Sequence, residues 1–456
     1  MKIIIIGAGI SGLALAWSLR RQHGDRCTIA ILEKSSRPGG WIRSSVEGGF
    51  FFEQGPRSCR SKGAGAATLQ LIESLGLQDD VILASSAARH RFIYHEGSMQ
   101  HVPSTFLEFI RSPLMKGIFP ALCKECFISS RKDGDESIAG FMERRFSAEI
   151  ANRLVDPMVS GIYAGDIDRL SLKACFPELH KREQQHGSLV KSMIKSVFQG
   201  RQKSNYSPFV KRVQHSPIFT LRHGMESLVK ALAEALKEEL QLETPVAGID
   251  INQKGVEIHL ENGACMHADQ VYLASPAQAT AKILGKSCPE IASQLAKIES
   301  ASVAVVSMGW KENVLPLSGF GYLVPSKEKE DVLGVVWDSS VFPEQNRNLQ
   351  ETRITAMLGG RHRPDLLALS DNELMKLVGG SLQKHLNITA SPESIKVFRA
   401  KEAIPQYDVG HLERLAKIEQ SLAEWSFSKV KLIGSSYHGV SVNDCIAIPA
   451  LFGNVR

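Results

Sequence analysis

The sequence predicts an α/β fold in which a Rossmann-like domain is joined to a mixed-sheet substrate domain and a helical insertion. A glycine-rich turn directly follows the first β-branched run, as in dinucleotide-binding folds. From about residue 86 to 210 the pattern becomes helical, and from about 286 to 410 strand-like runs alternate with a helix. Because these stretches interrupt the α/β pattern, we expect the Rossmann-like domain to be assembled from separate chain segments.

The first predicted strand and helix flank a Gly-x-Gly-x-x-Gly motif. The run Lys2–Ile6 predicts a strand buried on both faces, and residues 13–21 predict an apolar-periodic helix. Gly7 permits the tight turn, Gly9 lets the backbone approach a pyrophosphate, and Gly12 allows close helix–strand packing. The N–H groups at the start of the helix attract phosphate oxygens. The motif therefore predicts a dinucleotide site.

A second predicted strand, Thr28–Leu32, ends at Glu33, about 20 residues after the glycines. An acidic side chain there accepts hydrogen bonds from a ribose diol and repels a 2′-phosphate. The order of strand, glycine turn, helix, strand and acid is much more specific than an isolated glycine motif. It indicates a cofactor with an unphosphorylated adenosine ribose.

The rest of the chain supplies helical segments first and strand-like segments later. Helices are predicted at 105–110, 114–127, 138–154, 189–198, 224–242 and 371–386, with a loop over 195–213. Strands are predicted at 246–252, 255–260, 270–274, 302–310, 332–337, 353–358, 395–399 and 430–433, with a hairpin turn at 253–254.

These elements predict three domains. The discontinuous nucleotide-binding domain takes residues 1–85, 211–285 and 411–456, the helical insertion takes 86–210, and the substrate-binding domain takes 286–410. A chain of 456 residues is too long for a single core, which agrees with several domains.

Composition narrows the class of protein. The 43% hydrophobic and 22% charged residues are typical of a globular chain, and no apolar run reaches the length of about 18 residues that a membrane span needs. The net charge of +6 comes without a dense basic run between aromatic residues, so no nucleic-acid partner is predicted. Eight scattered cysteines predict reduced thiols in a cytoplasmic protein. Cys123 and Cys126 form a CxxC without a matching pair, so no metal site is predicted.

A second motif follows Glu33. Arg37, Gly39 and Gly40 extend it to ExxxRxGG, and this extension resembles the flavoprotein superfamily of amine oxidases, phytoene desaturases and protoporphyrinogen oxidases. Further stretches resemble the protoporphyrinogen oxidase family of the type that also occurs in mitochondria. They are FEQGPRS at 52–58, SGIYAGD at 160–166, FGYLVP at 320–325, MLGG at 357–360, AIPQYDVGH at 403–411 and GSSYHGVSVNDCI at 434–446. The resemblance covers nearly the whole chain, in the family's order.

The resemblance implies a non-covalently bound FAD. Val246 would offer backbone groups to the adenine, the segment 440–442 would lie near the isoalloxazine, and Leu412 occupies a position where relatives place an aromatic residue. Cys445 lies outside any covalent-flavin motif and is expected to be an inert thiol. The implied FAD-binding residues are Gly7, Ala8, Gly9, Ile10, Ser11, Gly12, Glu33, Lys34, Gly40, Trp41, Gly55, Pro56, Arg57, Ser58, Val246, Leu412, Val440, Ser441 and Val442.

The same resemblance implies an FAD-dependent oxidase of haem biosynthesis that converts protoporphyrinogen IX to protoporphyrin IX with molecular oxygen. No catalytic side chain is implied, because the flavin N5 supplies the chemistry. Arg91 would anchor a substrate carboxylate, Leu323 and Met357 would sandwich the macrocycle, and Gly161 would line the pocket with its backbone.

Two alternatives stay open. The substrate could be coproporphyrinogen III, which has four carboxylates where protoporphyrinogen has two, or the chain could be a non-catalytic flavin- and tetrapyrrole-binding carrier. An amine oxidase or carotenoid desaturase is disfavoured, since the chain lacks a covalent-flavin cysteine motif and the signature of a long apolar tunnel.

The sequence also predicts membrane contact and the form of the C-terminal helix. The helical insertion mixes Lys and Arg with apolar residues, which predicts peripheral contact with the inner face of the cell membrane. A homodimer and a monomer are both compatible with the sequence. Relatives continue past residue 446 into a longer final helix, whereas Pro449 here predicts a short one.

Overall fold

The computed structural model describes residues 1–131, 134–198, 205–253, 255–426 and 428–448. Its strands, in chain order, are β1 Lys2–Ile6, β2 Thr28–Leu32, β3 Ser44–Glu47, β4 Phe50–Glu53, β5 Cys59–Arg60, β6 Val81–Leu83, β7 Arg91–His95, β8 Ser98–His101, β9 Ile218–Leu221, β10 Leu240–Gln241, β11 Val246–Asn252, β12 Gly255–Leu260, β13 Cys265–Ala268, β14 Gln270–Leu273, β15 Ser300–Trp310, β16 Gly321–Leu323, β17 Val332–Val336, β18 Thr352–Gly359, β19 Ser394–Pro405 and β20 Val430–Leu432.

The α-helices cover the sheets and form the insertion. They are α1 Ile10–His23, α2 Gly65–Ser74, α3 Phe106–Arg111, α4 Ile118–Glu125, α5 Ile138–Arg145, α6 Ala148–Ile150, α7 Asp156–Tyr163, α8 Leu172–Cys175, α9 Pro177–His186, α10 Leu189–Phe198, α11 Pro208–Val213, α12 Glu226–Ala235, α13 Ala277–Leu284, α14 Pro289–Ala296, α15 Asp338–Val341, α16 Asp371–Leu386, α17 His411–Trp425 and α18 Val442–Ala447.

A parallel sheet of order β10-β2-β1-β14-β20 forms the Rossmann-like part. Ile3 and Ile5 of β1 enter one core with α1, α12 and α18, whereas Ile4 and Ile6 enter another with α13, α14 and α17. Both faces of β1 are therefore buried, which confirms the expected β-branched strand. The five strands come from distant parts of the chain. The strand before the glycine turn therefore lies in one sheet with residues 240–241, residues 270–273 and the last strand.

A mixed sheet of order β19-β15-β18-β17-β16-β7-β8 forms the second part. Its strands are antiparallel except for the β16–β7 pair. One face packs Ala304, Val306 and Ala356 against Leu374 and Val378 of α16. β7 and β8 pair with this sheet although they precede the helical segment, so we propose that the insertion begins after His101.

The insertion surrounds a buried charge cluster. Arg145 of α5 is fully buried, and its guanidinium is 2.9 Å from Glu125 Oε1 of α4 and also binds Glu183 of α9. Glu125 in turn accepts a 2.8 Å hydrogen bond from the Leu189 backbone N–H of α10. A buried arginine is stable only when paired and hydrogen-bonded, so this network fixes how the four helices pack.

Several predicted elements are shorter than expected. The helix predicted at 224–242 ends at Ala235, because Leu240 and Gln241 join β2 as β10. The predicted loop at 195–213 contains the end of α10 and the whole of α11, which Ser207 caps through a 3.3 Å bond from the Val210 N–H. The predicted helix at 138–154 breaks after Arg145 because Ser147 caps α6.

Other boundaries also differ. The helix predicted at 114–127 begins only at Ile118, since Gly117 adopts a left-handed conformation. The antiparallel pair β11–β12 confirms the predicted hairpin. Residues 199–204, Lys254 of the predicted turn and Pro449 of the predicted final helix lie outside the described residues. Within the described part of the chain, no helix is both long and apolar enough to cross a bilayer.

Candidate functional site

The glycine turn after β1 fits a bound pyrophosphate. A Cβ atom on Gly7 would lie 2.8 Å from the Ala274 carbonyl oxygen, and one on Gly12 would collide with the Gly7 carbonyl oxygen. A Cβ on Gly9 would meet no atom within 4 Å. The first and third glycines are thus needed for packing, whereas the second faces open space at the start of α1, where the helix presents free N–H groups.

Glu33 is held beside this turn. Its Oε2 accepts a 2.9 Å hydrogen bond from the Ala8 N–H, and its Oε1 accepts bonds of 2.9 and 2.7 Å from the N–H and hydroxyl of Ser35. The Thr244 N–H donates to the Glu33 carbonyl at 2.8 Å, which brings the chain leading to Val246 alongside. The carboxylate is oriented by the backbone and partly exposed, as an acceptor for a diol must be. Lys34 follows it on the surface.

The second glycine pair packs against the first turn. The Gly39 N–H donates to the Ala8 carbonyl at 2.8 Å, and a Cβ on Gly40 would lie 3.5 Å from the Gly9 Cα. The Arg37 guanidinium donates to the carbonyl groups of residues 38, 40 and 42 at 3.0, 2.6 and 3.2 Å. Arg37 therefore shapes this loop. It was missing from the predicted binding residues, although its place in ExxxRxGG was a signal for it.

The loop before α18 is joined to the glycine turn and to the insertion. A Cβ on Gly434 would lie 3.6 Å from Ser11 Oγ of α1. The Gly439 N–H donates to the Tyr407 hydroxyl at 2.9 Å, and that hydroxyl donates to the Ser435 carbonyl. Tyr407 thus fixes the entry to the segment 440–442, and sequence reasoning did not select it as a site residue.

The segment 440–442 has a defined backbone. Ser441 Oγ accepts a 3.2 Å bond from the Asp444 N–H, and the Asp444 carboxylate accepts one of 3.2 Å from the Ser441 N–H. Val440 packs against the core of the insertion, and Val442 is buried with α1. Leu412 lies in the first turn of α17, next to His411, whose ring stacks on Tyr407 at 4.1 Å. Burial lowers the pKa of His411 to about 4, so this ring is neutral at physiological pH.

The segment 55–58 connects the two sheets. A Cβ on Gly55 would collide with the Trp41 carbonyl oxygen, so the chain passes directly over that residue. Arg57 Nη1 forms a 2.8 Å ion pair with Asp338 Oδ1, and Asp338 Oδ2 accepts a 2.7 Å bond from the Thr355 hydroxyl of β18. Arg57 therefore joins the segment that also contains Pro56 and Ser58 to the mixed sheet. No sequence motif indicated Asp338.

Glu53, at the end of β4 and two residues before this segment, is a buried acid with hydrogen-bonded oxygens. Its Oε1 accepts a 2.7 Å bond from the Met225 N–H at the start of α12, and its Oε2 is 2.8 Å from Ser44 Oγ. Burial raises the pKa of Glu53 to about 8, against the opposing effect of these hydrogen bonds and of nearby Arg57. The carboxyl is therefore mostly protonated at neutral pH.

The predicted substrate residues lie on one face of the mixed sheet. In the strand register, Arg91 is opposite Gly321, Leu323 is opposite Gly334, and Gly334 is opposite Met357. Directly paired residues, and residues two apart on a strand, share a face. Leu323 and Met357 are partly buried side chains separated by a glycine, so together they form an apolar wall.

Two further contacts define this face. A Cβ on Gly161 of α7 would lie 2.7 Å from Leu323 Cδ2, so α7 covers one end of the wall. The exposed Arg91 has its guanidinium carbon 5.4 Å from the centre of the Phe320 ring. Strand register and the packing of α7 thus bring together residues from four elements, β7, α7, β16 and β18.

The wall extends toward the glycine loops. Met357 is opposite Val305 on β15, and Val305 is opposite Phe398 on β19, so all three share the face. The Phe398 ring meets the Trp41 indole edge-on, with ring centroids 6.5 Å apart. Trp41 follows Gly40 directly. The face that holds the predicted substrate residues therefore reaches Trp41, which is predicted to contact the flavin.

The known proteins that are similar to this chain agree with the family that the sequence motifs resemble. The family model for flavin containing amine oxidoreductase matches residues 10–447. A protoporphyrinogen oxidase of Bos taurus is 35% identical, covering 97% of this chain and 96% of its own. A coproporphyrinogen III oxidase of Bacillus subtilis is 29% identical, covering 97% and 95%.

Solved structures agree on the fold. A proposed protoporphyrinogen oxidase from Exiguobacterium sp. superposes with a TM-score of 0.81 at 25% identity, covering 98% of this chain and 96% of its own. Cyclohexylamine oxidase from Brevibacterium oxydans has a TM-score of 0.69 at 16% identity, covering 99% of both chains, which shows the fold alone. The predicted α/β flavoprotein fold and the predicted FAD cofactor are confirmed.

Proposed function

We propose that this chain, which belongs to the flavin containing amine oxidoreductase family, is an FAD-dependent oxidase that converts protoporphyrinogen IX to protoporphyrin IX. The observation that supports this most is the single face of the mixed sheet on which an arginine borders an apolar wall. A tetrapyrrole is a flat apolar disc with carboxylates on its rim, so it matches that face in shape and charge.

When bound, FAD would accept a hydride from the substrate in each of three turnovers and would return the electrons to molecular oxygen. The chain's residues position the reactants. We propose that the glycine turn and Glu33 hold the adenosine and pyrophosphate, while Trp41 and the segment 440–442 border the ring. No protein base would be required, since the N–H proton that leaves with each hydride can pass to solvent.

Arg91 is proposed to orient the substrate. A guanidinium engages a carboxylate through two parallel hydrogen bonds, which fixes the rotation of an otherwise featureless disc. Leu323 and Met357 would contact its apolar surface, and Gly161 keeps α7 close to Leu323. The substrate is thereby set in one orientation for each oxidation.

The charges on the face favour the substrate with fewer carboxylates. Among the described cations that reach it, Arg57 is paired with Asp338, Arg353 with Glu351, and Lys396 with Glu47. Arg91 instead contacts the ring of Phe320. One arginine stacked on a ring suits the two carboxylates of protoporphyrinogen better than the four of coproporphyrinogen, which is the alternative substrate.

A parallel assay of the two porphyrinogens tests the proposal. Each is incubated aerobically with the holoenzyme, and the porphyrin is identified by chromatography, with heat-inactivated enzyme as the control for spontaneous oxidation. We expect many equivalents of protoporphyrin per enzyme and a higher kcat/KM for protoporphyrinogen. Product limited to one equivalent would support the carrier, and a preference for coproporphyrinogen would support the alternative oxidase.

We also propose that the insertion rests on the inner face of the cell membrane in a cytoplasmic protein. Large apolar side chains are exposed there, with Ile110 at 65%, Phe119 at 67% and Phe127 at 89% relative exposure. The cations Arg111 and Lys124 are exposed on the same helices. Apolar groups beside cations favour an anionic lipid surface.

Vesicle flotation tests the membrane contact. The holoenzyme should float with anionic vesicles and less so when salt is added. Phe119→Ser should weaken binding, whereas Leu349→Ser, which removes a 91% exposed leucine outside the insertion, should not. Equal binding of both variants would contradict the location. Light scattering would decide between the monomer and the homodimer.

A further inference from the structure

The outer face of the small sheet β11-β12-β13 holds a cluster of metal-ligating side chains. Ile249, Val256 and Ile258 of this sheet point into the core beside β1. The alternate positions point away from it, and among them are Asp250, Glu257, His259, Cys265 and His267. None of these residues belongs to the proposed FAD or substrate site.

Strand register brings three of them to one point. His259 is directly opposite Cys265 on β13, and Glu257 lies two residues before His259 on the same face. A carboxylate oxygen of Glu257, a ring nitrogen of His259 and the Cys265 sulfur all lie within 4.8 Å of one another. One oxygen, one nitrogen and one sulfur donor are thus placed around a common centre.

The histidine is oriented for ligation. Its Nε2 is 2.8 Å from Asp250 Oδ2, and Asp250 Oδ1 accepts a 2.7 Å bond from the Ser287 hydroxyl. A carboxylate accepts a proton, so Nε2 is the protonated nitrogen, and the lone pair on Nδ1 faces Cys265 Sγ at 3.2 Å. A carboxylate on the outer nitrogen is the usual partner of a metal-bound histidine.

We propose that Glu257, His259 and Cys265 bind a zinc ion, with water as the fourth ligand. Mixed oxygen, nitrogen and sulfur donors suit tetrahedral Zn²⁺, whereas Mg²⁺ and Ca²⁺ require oxygen donors. On binding, the Cys265 thiol releases its proton to solvent and the sulfur becomes a thiolate ligand. The ion links β12 to β13 and, through Asp250, to β11.

Cobalt substitution of the full-length holoenzyme under reducing conditions tests the site. Co²⁺ should bind with one equivalent and give a thiolate-to-metal charge-transfer band with the visible bands of a tetrahedral ion. Zn²⁺ should displace it. Asp250→Asn should lower Zn²⁺ affinity by about 10- to 100-fold. Cys265→Ser should lower it further and remove the charge-transfer band.

Cys123→Ser is the matched control, because it removes another exposed thiol and should leave binding and spectrum unchanged. Added Zn²⁺ should raise the Tm of the wild type and of Cys123→Ser, but not that of Cys265→Ser. The proposal fails if the wild type gives no charge-transfer band, or if Cys265→Ser binds Zn²⁺ as tightly as the wild type.

Discussion

The glycine turn and the substrate face are built in opposite ways. At the turn the backbone forms the proposed pyrophosphate site, and side chains are excluded because a Cβ on Gly7 or Gly12 would collide with carbonyl groups. On the mixed sheet the backbone is the support, and the side chains of Arg91, Leu323 and Met357 form the proposed substrate site. Changes at the turn should therefore alter folding or FAD binding, whereas changes on the face should alter turnover in a stable protein.

Gly12→Ala should produce the largest effect. Its methyl group would overlap the Gly7 carbonyl oxygen and press on Ile5 Cγ2 at 3.2 Å, so β1 and α1 cannot keep their packing. Overpacking typically costs about 1–3 kcal/mol, and a collision with backbone lies at the upper end. We expect a poorly folded, colourless protein, as measured by the yield of bound flavin and by urea unfolding.

Gly9→Val is the comparison within the same motif. Since a Cβ at Gly9 meets nothing within 4 Å, this variant should fold normally without FAD. Its branched side chain would occupy the space through which the pyrophosphate approaches the backbone. FAD affinity should therefore fall by more than the roughly 10- to 150-fold that a lost hydrogen bond to a charged group, as in Glu33→Gln, would cost. Equal FAD affinity in Gly9→Val and wild type, by flavin fluorescence titration, would place the nucleotide elsewhere.

Arg91→Ala tests the substrate face. Loss of the proposed carboxylate anchor should lower kcat/KM by roughly 10- to 150-fold, while FAD binding and Tm stay unchanged. Arg91→Lys should recover only part of the activity, because an ammonium cannot form two parallel bonds. Arg89→Ala removes a neighbouring exposed arginine and should be silent. A kcat/KM within about twofold of wild type in Arg91→Ala would refute the anchor.

Gly161→Ala should have a smaller effect on the same face. The new methyl group would lie 2.7 Å from Leu323 Cδ2, and the leucine side chain would have to turn into the substrate space. We expect KM to rise roughly tenfold, equivalent to about 1.4 kcal/mol, with little change in Tm. An unchanged KM in this variant would show that Leu323 does not line the pocket.

The two regions also differ in how far sequence alone could predict them. The turn was predictable because its residues are consecutive, and each has a local conformational reason. The proposed substrate face was predictable only by resemblance, since Arg91 and Met357 are placed on one face by strand register, which no local pattern specifies. The same holds for Asp338, the partner of Arg57, and for the cluster of Glu257, His259 and Cys265.

Errors in the predicted helices have a similar cause. Residues 236–242 favour a helix locally, but Leu240 gains more by pairing with β2 in the parallel sheet. Residues 208–213 were expected to be a loop because their neighbours are polar, yet Phe209, Val210 and Val213 are buried against α2 and β9. Tertiary burial decided both cases.

Glu53 connects the two regions, and its replacement by glutamine should have the smallest effect of these changes at pH 5. It lies at the end of β4, two residues before Gly55, and it accepts the N–H of the fully buried Met225. Gln can accept the same N–H and donate to Ser44, and it has no charge to lose. Glu53→Gln should therefore match the wild type in stability and FAD affinity at pH 5.

The difference in stability between the wild type and Glu53→Gln should emerge as the pH rises. Burial raises the pKa of Glu53 to about 8, whereas the unfolded chain should show a pKa of about 4.3. The stability that the neutral carboxyl contributes is complete below the unfolded-state pKa, declines between the two pKa values, and is lost above about pH 8. Urea unfolding of the holoenzyme between pH 5 and 9 should therefore show a loss in wild type that is reduced in Glu53→Gln. Glu234→Gln, which changes an exposed acid on α12, should keep the wild-type slope. Parallel stability curves for wild type and Glu53→Gln would contradict this prediction. They would mean that the buried carboxyl is already ionised and is stabilised by Arg57 and the N–H groups at the start of α12. The two regions would then be connected by a network of ion pairs instead of a neutral hydrogen bond.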